Sequence, residues 1–136
     1  MTRINIINPK ELTDQHLIAE YREIFMVGGS LKRTLTSKSG FQEKKVPKKF
    51  TLNKGHVYFF YNKGQYLHKR YLELIEEMKS RGFNPDETRT FPIEVFKDND
   101  LYNDWVPTLE DQKIIKQRIK ERIEAKPNWY RKTNDR

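Results

Sequence analysis

The chain has 136 residues, with 27 Lys and Arg against 19 Asp and Glu, a formal net charge of +8 and no cysteine. Disulfides, thiolate nucleophiles and Cys-ligated metal sites are excluded, three scattered histidines (His16, His56, His68) suggest no metal site, and no apolar run approaches the ~20 residues of a membrane span. A positive excess on so small a chain points to a polyanion, nucleic acid first.

In chain order, Thr13 is a candidate N-cap for a helix running to about Val27. Leu17, Tyr21, Ile24 and Phe25 form its apolar stripe, and Gly28-Gly29 is expected to end it. Residues 30–54 read as a loop rich in lysine. His56 to Tyr61 is an aromatic run without a partner strand, so a buried lead-in to the next helix is expected. That second helix covers roughly Gln65 to Arg81, with Leu67, Tyr71, Leu74, Ile75 and Met78 on one face and Gly82 as the stop. Residues 83–107 read as an acidic loop broken by Pro85, Pro92 and Pro107. A third helix spans about Leu109 to Ala125, opened by a capping-box pattern at Thr108 and Asp111, striped by Ile115, Ile119 and Ile123, and blocked by Pro127. The expected fold is all-α, a single compact domain over residues 1–136 with three main helices and long irregular loops.

Three features carry chemistry. Thr2 is small, so removal of Met1 is expected to leave a free α-amino group on it; such an amine has a pKa near ~7.7–8.0 against ~10.4 for lysine. Arg3 next to it lowers that value further, and an unprotonated amine can attack a sugar carbon and form a Schiff base. On the first helix, Gln15, His16, Arg22 and Glu23 share the polar face opposite Leu17, with Met26 on the same side. An acid among phosphate-binding cations makes sense if Glu23 manages protons or stabilises an iminium. On the third helix Arg118, Arg122 and Lys126 make a basic stripe, followed by Trp129 and Tyr130, a mixture suited to phosphate contact and stacking. Each pattern has a plainer reading: an ordinary N-terminus, a solvated helix face, and tail aromatics packed back on the core.

Thr2-Arg3-Ile4-Asn5, the run from Leu12 to Glu23, Gly55 to Tyr61, Lys69-Arg70 through Leu74-Ile75, Arg81-Gly82-Phe83, and Lys126-Pro127-Asn128-Trp129-Tyr130 occur in that order. Together they resemble the phage endonuclease V family, pyrimidine-dimer DNA glycosylases with coupled AP lyase activity. The resemblance implies three helices, Thr2 as the amine nucleophile and Glu23 as its acid–base partner. It also implies that Arg3, Gln15, His16, Tyr21 and Arg22 line the site or hold DNA, that Arg118, Arg122 and Lys126 contact phosphates, and that Trp129 and Tyr130 lie near the duplex. Phe25-Met26 stands where the family has Pro-Arg, so Met26 is expected to meet lesion or sugar in place of a guanidinium. The expected partner is damaged double-stranded DNA, bound by a monomer without metal, cofactor or membrane in the cytoplasm of a bacterial or phage-infected cell. The alternatives are a glycosylase/lyase for another damaged or modified base, or a non-catalytic DNA-binding module.

Overall fold

The structure, a computed structural model, describes residues 3–52 and 54–133. It is all-α, with no strand among the described residues, and the three expected helices are its main elements. In chain order the helices are α1 (Asp14–Thr36), α2 (His56–Phe59), α3 (Gly64–Ser80), α4 (Ile93–Lys97) and α5 (Leu109–Ala125), with 3-10 turns at Pro9–Glu11 and Glu43–Lys45.

α1 starts where its cap predicts. The Thr13 hydroxyl accepts the His16 amide at 3.1 Å, a bond of a kind that contributes about 1 kcal/mol. Leu17, Tyr21 and Ile24 are buried as expected, but the helix does not stop at Gly28-Gly29; it continues for two more turns. Tertiary packing overrides the glycine signal. A Cβ on Gly28 would sit 2.8 Å from Pro92 Cγ, so this glycine lets α4 close onto α1 and does not terminate it. Beyond it Leu31 is fully buried, and the Ser30 and Thr34 hydroxyls meet the Tyr61 hydroxyl. Residues 30–36 are therefore helix, not loop.

α3 packs along α1, and α4 touches both. Its end is a Schellman closure: Gly82 has φ +87°, the Phe83 amide donates to Met78 O at 2.9 Å, and the Gly82 amide donates to Lys79 O at 3.0 Å. The aromatic run at 56–61 is a buried helical turn leading into α3, as expected, and Phe50, Phe59, Phe60 and Tyr66 gather around Trp105. The 83–107 segment is less of a loop than its prolines imply, because α4 interrupts it and buries Phe96, while Phe91 and Leu101 on either side of α4 are buried too. α5 carries the predicted capping box, Thr108 and Asp111 bonding reciprocally at 3.0 Å, and buries Ile115 and Ile119.

Candidate active site

Three bonds fix the N-terminal arm from beneath. Arg3 donates to Leu52 O at 2.6 Å, the Ile4 amide to His56 Nε2 at 2.9 Å, and the Asn5 amide to Glu20 Oε1 at 3.1 Å. The arm then bends at Ile6, whose φ of +42° is uncommon for a β-branched residue and is held by the burial of Ile6 and Ile7. Glu20 is itself fully buried and paired with buried Arg70, whose Nε and Nη2 reach its two oxygens at 2.7 and 3.0 Å, while Nη1 donates to Ile7 O. One ion pair thus ties α3 and α1 to the arm.

Between the arm, α1 and α5 lies a cleft of about 320 Å³. Of the residues singled out from the sequence, Arg3, His16, Glu23, Arg118, Arg122 and Tyr130 line it together. Thr2 lies outside the described residues. Burial raises the pKa of the Glu23 carboxyl, with Glu20 pushing the same way and Arg3 pulling against it. Arg3 is pushed down by burial and then by its neighbours Arg118 and Arg122, which marks how closely the three guanidiniums crowd the cleft. Burial, with Arg122 behind it, lowers the pKa of His16 and favours the neutral ring. The His16 ring bonds Thr13 Oγ1 at 2.7 Å and lies nearly parallel to Tyr130, with ring centres 4.8 Å apart.

The other predicted residues fall elsewhere. Tyr21 is buried in the core, stacked on Tyr71, with its hydroxyl accepting the Asp86 amide at 2.7 Å. Gln15 uses both ends of its amide on the C-terminal segment. Arg22 and Met26 are exposed on the outer side of α1, and Lys126 and exposed Trp129 lie just beyond α5, 5.9 Å from ammonium to ring. Sequence reasoning missed Asn5, Ala19, Glu20 and Ile119 in the lining. A signal existed for Glu20: it and Arg70 are charges set within the apolar stripes of two helices, where only a mutual pairing is tolerable.

No group of three or more His, Asp or Glu able to hold a metal converges among the described residues, and no helix there is long and apolar enough to cross a membrane. The cleft combines crowded guanidiniums, an imidazole against a phenol ring, and a carboxyl whose pKa burial raises. Such a site can hold a phosphodiester while moving a proton beside it. Compared with known families, residues 1–91 match the family model described as pyrimidine dimer DNA glycosylase. The match takes in the arm, α1 and α3; α5 and the C-terminal segment lie beyond it.

Proposed function

The chain belongs to the pyrimidine dimer DNA glycosylase family, and from that premise we propose that it excises the damaged base and then cuts the strand, using the Thr2 α-amine as nucleophile and Glu23 as acid–base partner. Its substrate is DNA. The amine, freed by removal of Met1, donates its lone pair to C1′ of the 5′ sugar of the dimer. The C1′–N glycosidic bond breaks with its electron pair going to the base nitrogen, which takes up the proton that the amine sheds; the freed base stays joined to its dimer partner through the cyclobutane ring. Opening of the C1′–O4′ bond then gives an imine, O4′ taking up a proton that Glu23 is set to supply. As carboxylate, Glu23 removes a proton from C2′, and β-elimination expels the 3′ phosphate. Water then hydrolyses the imine, which returns the C1′ carbon as an aldehyde and frees the Thr2 amine.

The observation that carries this reading is Glu23, a half-buried carboxyl with raised pKa in a cleft that it shares with Arg3, Arg118 and Arg122. A carboxylate repels phosphate, so its place among three phosphate-binding cations fits a proton-transfer role better than a binding one. Arg3, covalent neighbour of Thr2, lines the same cleft, which supports the amine as nucleophile. His16 and Tyr130 offer a flat surface to sugar or base, Lys126 and Trp129 extend the contact past α5, and Arg22 and Met26 extend it along the outer side of α1.

Incubation with ultraviolet-irradiated plasmid, with and without borohydride, tests the proposal. Strand cleavage and a reduced protein–DNA adduct at the Thr2 amine are expected, together with loss of activity when Met1 is retained. Cleavage without a trappable adduct would remove the Schiff base from the mechanism. A panel of dimer, formamidopyrimidine and abasic duplexes reads the lesion specificity directly.

A further inference from the structure

We propose that Asp14 and Gln15 are positioning residues that latch the C-terminal segment 129–133 onto the first turn of α1 and so build the Tyr130 wall of the cleft. This rests on the reading of the cleft as the DNA site. Three consecutive residues of α1 each engage the segment. The Asp14 amide donates to Arg131 O at 2.6 Å, and its carboxylate accepts the Thr133 amide and hydroxyl at 3.0 and 2.6 Å. Gln15 donates to Trp129 O at 2.6 Å and accepts the Arg131 amide at 2.9 Å. His16 receives the Tyr130 ring.

The pattern alternates. Every hydrogen bond falls on residue 129, 131 or 133, so the segment is held along one side while Tyr130, between two anchored residues, is delivered into the cleft. Behind Asp14 the latch is tied to α3. Buried Arg81 donates to Asp14 Oδ1 at 3.0 Å, to Glu77 Oε2 at 2.7 Å and to Pro9 O at 3.0 Å. This chain of charge-assisted bonds runs from the end of α3 through Asp14 to the segment, and none of its members lines the cleft. Ordering a terminal segment costs conformational entropy, and the latch meets that cost before substrate arrives.

The test uses the full chain on a duplex with a single pyrimidine dimer. Asp14→Ala removes the anchor, and Thr133→Val removes only the hydroxyl partner, leaving the buried Asp14–Arg81 pair intact. Each is expected to raise KM about three- to tenfold with kcat within about twofold, since bonds to a charged group are lost while the reacting groups stay. Loss of folded protein alone would instead lower kcat and leave KM alone. In a Tyr130→Ala background the same substitutions should change KM by less than about twofold, because the latch acts through that ring. Trypsin cleavage after Arg131 and Lys132 should accelerate in both latch variants. Unchanged cleavage overturns the latch whatever the activity, and an equal KM effect with and without Tyr130 overturns its role in the cleft. A wild-type chain inactive on the dimer would count against the proposed function, leaving the protease result to decide the latch.

Discussion

His56 Nε2 accepts the Ile4 amide at 2.9 Å while its Nδ1 meets Thr51 O at 2.8 Å. The two bonds fix the ring as the neutral tautomer with its proton on Nδ1, since a protonated Nε2 would face another donor. The ring is buried, and burial lowers its pKa to about 4. The folded state thus prefers neutral His56, whereas the unfolded chain takes up its proton near the ordinary value of ~6.5. Between those pH values the unfolded state binds more protons, so the His56 contribution to stability is full above ~6.5 and is lost as pH falls toward 4, with a slope of at most about 1.4 kcal/mol per pH unit. Urea unfolding at a series of pH values should show that slope, and His56→Gln should flatten it. The same bond holds Ile4, so acid weakens the arm as well as the fold.

Glu23 gives a second pH dependence, this time in the rate. Burial raises its pKa, and the proposed proton abstraction needs the carboxylate. Glu23→Gln should lower kcat by about 10²–10⁴ and remove the Glu23 component of the acid limb of the rate, leaving the component due to protonation of the Thr2 amine. A limb unchanged in the variant would assign it to another group.

Beneath the cleft, Glu20 and Arg70 form an ion pair with side chains 0% and 3% exposed, so removing either partner strands a charge in the core. Arg70→Met should cost about 3–5 kcal/mol, visible in denaturant unfolding. Glu20→Leu added to it should restore part of that loss, but not all. The Asn5 amide, which donates to Glu20, would still be without its acceptor.

The two adjacent glycines of α1 separate what the sequence can say from what it cannot. As local signals Gly28 and Gly29 are identical, and together they read as a helix end. A Cβ on Gly29 would meet nothing nearer than Arg33 Nη1 at 3.8 Å, whereas on Gly28 it would strike Pro92 Cγ at 2.8 Å. Gly29→Ala should therefore stabilise by about 0.5–1 kcal/mol through helix propensity and the unfolded state. Gly28→Ala should destabilise by about 1–3 kcal/mol despite the same propensity gain. Thermal melts of the two variants would show shifts of opposite sign.

The contrast explains how much was legible. Caps and stripes are local, so the starts of α1 and α5, the closure of α3 and, in the cleft, His16, Glu23, Arg118 and Arg122 could be read from spacing, whereas spacing alone does not place Ala19, Glu20 and Ile119 there. Close approaches between distant segments are not local. That Pro92 lies on Gly28, that Arg70 reaches Glu20, and that Gln15 is taken up by the C-terminal segment are contacts between residues 50 to 116 positions apart. Spacing groups Gln15, His16, Arg22, Glu23 and Met26 on one side of α1, but of these only His16 and Glu23 line the cleft. Which of its side chains open to the cleft and which are consumed by the protein itself depended on those long-range contacts.

Arg89 lies in the irregular segment between α3 and α4, where no periodicity marks it. Its guanidinium sits 3.9 Å from the centre of the Phe25 ring and 5.0 Å from that of Tyr21, and it reaches Arg22 O at 3.4 Å. Among the described residues neither Arg89 nor Arg22 has an ion-pair partner within 4.0 Å. Arg89 therefore adds a second guanidinium next to Arg22, and Met26, 57% exposed, lies one helical turn from Arg22 and Glu23. Two guanidiniums without an ion pair suit a phosphate. Arg89→Gln should weaken duplex binding and reduce the slope of log affinity against log salt by about 1, the share of one phosphate contact. Arg89→Lys should keep the slope but lose affinity, since an ammonium holds the charge without the planar stacking that orients it on Phe25. Binding titrations at several salt concentrations check both, and a slope unchanged in Arg89→Gln would remove Arg89 from the DNA contact.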